Sequence, residues 1–90
     1  MKTFKIKLTK KDIKEGKQGE GMYCPIALCM KRKTGVYFRI LPYAIQTKDG
    51  LFVSELPKIA KRFINRFDMS KTKKVKPISF DIEIPQKYLS

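Results

Sequence analysis

Six apolar residues, Leu56, Ile59, Ala60, Phe63, Ile64 and Phe67, recur at helical spacing and leave few folds open to the chain. Lys58, Lys61, Arg62, Asn65 and Arg66 fall on the other side. The pattern predicts an amphipathic helix that opens near Ser54-Glu55-Leu56-Pro57, docks through Leu56, Ile59, Phe63 and Phe67, and ends at Asp68-Met69-Ser70.

The rest of the chain changes period. Phe4, Ile6 and Leu8 alternate with Lys5, Lys7 and Thr9, which predicts a strand with one apolar and one basic face. Val36, Phe38 and Ile40 alternate with Tyr37, Arg39 and Leu41 as a second strand, and Pro42 interrupts it. Residues 43–47 read as a third strand, Lys48-Asp49-Gly50 as a hairpin turn, and Leu51-Phe52-Val53 as a short fourth strand. Ile78, Phe80, Ile82 and Ile84 alternate with Ser79, Asp81 and Glu83 until Pro85 stops the last strand. Thr9 precedes Asp12 by three residues, a capping-box-like start for one short turn of helix ending near Gly16. Pro25 suits the first turn of another helix, Ile26 to Met30 supply its apolar run, Lys31-Arg32-Lys33 complement its negative end, and Gly35 closes it. Together these predict an α+β fold, a mainly antiparallel twisted sheet of about five short strands with two helices packed on one face, in a single domain over residues 1–90.

A chain of 90 residues buries only about 60–65% of the surface it exposes when unfolded. The core is therefore thin, and a homo-oligomer is expected. Twenty-one Lys and Arg against eight Asp and Glu leave a formal net charge of +13, which favours an anionic partner such as a nucleotide or nucleic acid. Lysine spread over a solvated surface accounts for part of this excess. No stretch approaches the roughly 20 apolar residues of a membrane span, and the start alternates charged with apolar residues where a signal peptide would be continuously apolar. No membrane association and a cytoplasmic location are expected. Cys24 and Cys29 are five positions apart on the predicted helix and point to different faces, so they are expected as free thiols.

The chain contains no histidine, so the commonest general base is missing. Two cysteines without histidine make a poor zinc site, and no metal or cofactor is expected. Asp81 and Glu83 share a strand face without a recognisable acid–base partner and read as solvated. No phosphate-loop, dinucleotide or nucleophile-elbow motif is present. Cys24 has no visible base to activate it. The expectation is a binding protein and not an enzyme.

Two surfaces are candidates for that binding. The first is the glycine loop over residues 16–21 where it meets the helix start. Gly19 and Gly21 let backbone N–H groups approach a ligand, Lys17 adds charge, Tyr23 can stack on a base, and Cys24-Pro25 opens a helix whose positive end suits phosphate. Arg39, or basic residues of another protomer, completes the pocket. An ordinary flexible loop explains the same glycines. A thiol at a helix start tends towards a lowered pKa, although Cys24 also reads as a small residue packed under the loop; Cys29 and Met30 read as core. The second surface is basic: Lys58, Lys61, Arg62 and Arg66 on the helix, then Lys73 and Lys74 in the basic segment 71–76, which could follow a nucleic-acid backbone. A solubilising face explains these as well. Tyr37, Arg39 and Tyr43 are exposed-face candidates for stacking on nucleobases.

Cys24-Pro25-Ile26-Ala27-Leu28, then Leu56-Pro57, Phe63-Ile64-Asn65-Arg66-Phe67-Asp68 and the segment from Pro77 to Ile84 together resemble a group of small bacteriophage accessory proteins of unassigned function that carry a CPIAL helix-start motif. The resemblance implies a phage-encoded protein acting in the host bacterial cytosol and brings no catalytic residues with it. Some small phage proteins act by occupancy, including oligomeric sponges for nucleotide immune signals. The expected function is accordingly sequestration of a phosphate-bearing nucleotide immune signal. The alternatives are a nucleic-acid-binding accessory protein and an inhibitor of a host defence protein.

Overall fold

In the computed structural model, which describes residues 2–70 and 74–89, the apolar periodicities become five strands and three α-helices. β1 (Lys2–Lys7) leads into α1 (Lys10–Glu15), and a loop leads to α2 (Pro25–Thr34). β2 (Phe38–Ile40), β3 (Ala44–Thr47) and β4 (Phe52–Glu55) follow, then α3 (Lys58–Met69), β5 (Ser79–Ile84) and a 3-10 turn (Gln86–Tyr88). The α+β class is the one the sequence predicts.

The strands form two antiparallel ladders. β1 and β5 pair in unbroken register from Lys2 opposite Ile84 to Lys7 opposite Ser79, extended by the Leu8 N–H donating to the Ile78 carbonyl at 2.9 Å. β2, β3 and β4 form the second ladder in that order, with an irregularity at Ile45/Gln46. β5 lies against β4 without joining its ladder. At this seam the Tyr88 hydroxyl donates to the Phe52 carbonyl at 3.3 Å, occupying an acceptor on the edge of β4. α2 packs on both β1 and β2 and so bridges the ladders. Ile26, Cys29 and Met30 on its inner side are fully buried, as is Ile6 of β1. Among the described residues, nearly all the buried apolar groups belong to one continuous cluster.

α1 begins as the sequence predicts. The Thr9 hydroxyl accepts the Asp12 N–H at 3.1 Å, and the Asp12 carboxylate accepts the Thr9 N–H at 2.9 Å. Asp12 also receives both arms of the Arg32 guanidinium, at 2.6 and 3.0 Å, which ties α1 to α2. Burial pushes the Asp12 carboxyl pKa up, but the bonds from Arg32 and Thr9 outweigh it and hold the pKa below its ordinary value.

α3 corrects the predicted helix in two places. It starts at Lys58, because Ser54 and Glu55 are paired to Ile45 and Ala44 in β4, and because Leu56 precedes a proline, where helical backbone is disfavoured. Ile59, expected in the core, is 45% exposed. The buried arc is centred on Ala60, Phe63, Ile64 and Phe67, and Ile59 falls at its margin. Leu56 is buried, but from the approach to the helix. Phe63 and Phe67 stack at 6.0 Å between ring centroids.

Candidate functional site

The site is built where the loop between α1 and α2 crosses β2 and the end of α3. The Lys17 N–H donates to the Tyr23 carbonyl at 2.8 Å and the Tyr23 N–H to the Glu20 carbonyl at 3.1 Å, so the loop folds back on itself. The Ile40 N–H donates to the Gly21 carbonyl at 2.9 Å, tying the loop to β2. Gly21 suits this approach: a Cβ there would stand 3.0 Å from the Ile40 carbonyl oxygen and 3.1 Å from Arg39 Cγ, tight enough that strand or loop would have to give by a few tenths of an ångström. A Cβ on Gly16 would meet the Pro25 ring at 2.6 Å. These glycines serve close packing within the chain.

The far side of the loop is strapped to α3. The Gln18 amide donates to the Phe67 carbonyl at 2.6 Å and also to the Ser70 carbonyl, satisfying two groups at the helix C-terminus. The Gly19 N–H donates to Asp68 Oδ1 at 3.1 Å.

Loop, strand and helix enclose a cavity of about 510 Å³, open on one side. Gly19, Gly21, Tyr23, Cys24 and Arg39, five of the six residues chosen from the sequence, line it. Lys17 is outside the lining; its ammonium lies 5.6 Å from the centre of the Tyr23 ring, at the rim. The wall also holds residues that sequence reasoning missed, among them Glu20, Pro42, Ile64 and Asp68. Pro42 follows the strand that carries Arg39, and Ile64 and Asp68 share one side of α3, but nothing local announces that these segments meet.

The helix start behaves differently from the sequence expectation. The Cys24 thiol caps α2 by accepting the Ala27 N–H at 3.5 Å, and Cys24 through Ala27 are buried. Burial pushes the Cys24 thiol pKa up to about 11, where a helix start alone would lower it. The Gly19 N–H is likewise taken by Asp68. A phosphate therefore cannot dock on the end of α2 without rearrangement. The cations available to an anion are side chains, Arg39 in the wall and Lys17 at the rim, and neither forms an ion pair among the described residues.

The basic helix face divides. Lys61 is held by Glu55 at 2.8 Å. Lys58, Arg62, Arg66 and Lys74 are exposed and form no ion pair among the described residues, while Lys73 lies outside them. Tyr37 and Tyr43 are exposed as expected, with the Lys31 ammonium 4.6 Å from the centre of the Tyr37 ring. Asp81 and Glu83 lie on the exposed face of β5. Cys24 and Cys29 are free thiols, and Cys29 and Met30 are core. Among the described residues no cluster of potential ligands could hold a metal, and no helix is long and apolar enough to cross a membrane.

Comparison with protein families, curated proteins and solved structures finds no match to this chain.

Proposed function

We propose that the protein binds a small phosphate-bearing nucleotide in this cavity and holds it without converting it. The observation that carries the reading is convergence. Five residues chosen from the sequence for ligand chemistry, drawn from the loop, the start of α2 and β2, line one concavity, whose volume suits a small organic ligand. Arg39 and Lys17 supply the charge for the phosphate, and the half-exposed Tyr23 ring supplies a face for the base. With no histidine in the chain, sequestration fits better than turnover. A homo-oligomer completes the proposal, since a second copy could cover the cavity's open side. The resemblance to phage accessory proteins supports a sponge for a nucleotide immune signal in the bacterial cytosol as its biological role.

The test is calorimetric titration of the purified protein with linear and cyclic mono- and dinucleotides, alongside mass spectrometry of small molecules released on denaturing protein recovered from bacterial cells. At least one nucleotide should bind, and Arg39→Glu and Lys17→Glu should each weaken it tenfold or more with an unchanged melting curve. If the parent binds no nucleotide and releases none, the reading fails; if it binds no oligonucleotide either, inhibition of a host protein takes its place.

A further inference from the structure

α3 has a third side, used neither by the core nor by the cavity. At about 100° per residue, the core takes Phe63, Phe67, Ala60 and Ile64, and the cavity takes Ile64 and Asp68. Asn65, Lys58, Met69, Arg62, Arg66 and Ile59 follow one another within an arc of about 120° that runs from opposite the core to its margin at Ile59. All six are exposed. No carboxylate lies in the arc; the nearest acid along the helix, Asp68, is turned to the Gly19 N–H.

The arrangement within the arc is ordered. Lys58, Arg62 and Arg66 stand four residues apart, a rise of about 6 Å per step, which is close to the step between neighbouring phosphates on one nucleic-acid strand. Beside them Ile59 is 45% and Met69 77% exposed, apolar groups that a solubilising surface does not need. Asn65 adds a donor and an acceptor. A membrane surface is a poor occupant, because the aromatic side of α3 is already buried in the protein and no apolar face remains to enter lipid.

We infer that this face of α3 is a nucleic-acid-binding surface, with Lys58, Arg62 and Arg66 on successive phosphates of one strand and Ile59 and Met69 against the bases. It is separate from the nucleotide cavity, and either can fail without the other.

The test uses a fluorescein-labelled 20-nucleotide DNA, single-stranded and as a duplex, with anisotropy read from 50 to 300 mM salt. Each phosphate neutralised contributes a log–log salt slope of roughly 0.7 on a single strand and 0.9 on a duplex. Arg62→Gln with Arg66→Gln should therefore lower the slope by about 1.4–1.8 and weaken binding at least tenfold on whichever form binds. Lys10→Gln with Lys11→Gln removes the same charge from α1 and should change the slope by less than half as much. Equal losses in the two double variants would show that net charge alone attracts the DNA and would overturn the inference. So would failure of the parent to bind either form. Polyglutamate of matched charge displacing the DNA as well as unlabelled DNA does would also overturn it, and would assign the face to an acidic protein.

Discussion

The segment from Thr9 to Cys24 is anchored at two points of unlike kind. At its start, Asp12 is buried and committed to Thr9 and to both arms of Arg32. Towards its end, Gln18 and Gly19 reach α3 through a part-buried hydrogen bond to the Phe67 carbonyl and exposed ones to the Ser70 carbonyl and to Asp68. The first anchor fixes how α1 and α2 pack. The second sets where the cavity rim lies, and water can replace its two exposed bonds. Ligand sites are commonly drawn from the less stable parts of a fold, and the cavity is bordered by the second anchor.

The largest effect should come from the platform beneath that second anchor. Phe67 is almost wholly buried and stacked on Phe63, and its carbonyl receives Gln18. Phe67→Ala should cost about 3–5 kcal/mol in denaturant unfolding. Ile59→Ala, on the same helix but at the exposed margin, should stay within about 0.5 kcal/mol. Similar costs for the two would mean that α3 does not dock through the arc seen here.

A smaller effect compares the anchors directly. Asp12→Ala removes half of the capping box and leaves Arg32 without its partner, and should cost about 1–3 kcal/mol. Arg32 is half exposed, so water can recover its charge, and the cost stays below that of a fully buried pair. Gln18→Ala should cost under about 1 kcal/mol, with faster amide exchange at Gly19. The anchors should also differ with acid. The Asp12 carboxyl is held below its ordinary value of 3.8, so its contribution is fully present above that pH and is lost as pH falls through the lowered value. Thermal melts should show Asp12→Ala flattening the acid limb while Gln18→Ala leaves its shape unchanged. A cost for Gln18→Ala equal to that for Asp12→Ala would mean that the two anchors hold the segment equally firmly.

The same contrast separates what could be read in the sequence from what could not. The α1 capping box was legible because Thr9 and Asp12 are three residues apart, and β1 and β5 were each legible as strands because Ile6 and Ile82 sit in clean alternation. Ile59 misled because helical spacing locates a stripe but not its centre, which the packing of Phe63 and Phe67 decides. At the site, the glycine loop and Arg39 could be picked out by residue type. Asp68 could not, because it meets Gly19 across 49 positions of sequence. The division of the strands into two ladders also depends on such distant contacts, since alternation specifies a strand's faces but not its neighbour.

Cys24 gives the prediction with the smallest effect at neutral pH. It lies in the cavity wall and caps α2, and its pKa is pushed by burial from 9.0 to about 11. At pH 8 the unfolded thiol is about one-tenth ionised and the folded one about a thousandth, so ionisation alone should slow alkylation of Cys24 roughly a hundredfold on folding. Because the folded state holds this proton more tightly, stability is unaffected below pH 9 and falls as pH rises from 9 towards 11. Cys24→Ser keeps a capping oxygen and removes the thiol, so near pH 7 its melting point should shift little. Between pH 9 and 11 the variant should lose less stability than the parent, a difference that isolates the thiol from the lysines and tyrosines titrating in the same range. Iodoacetamide labelling followed by mass spectrometry reads the first effect, and melts across that range read the second. Labelling of Cys24 in the folded protein as fast as in urea would mean that the helix end is open to solvent, and the α2 N-terminus would then return as a place where a phosphate could dock.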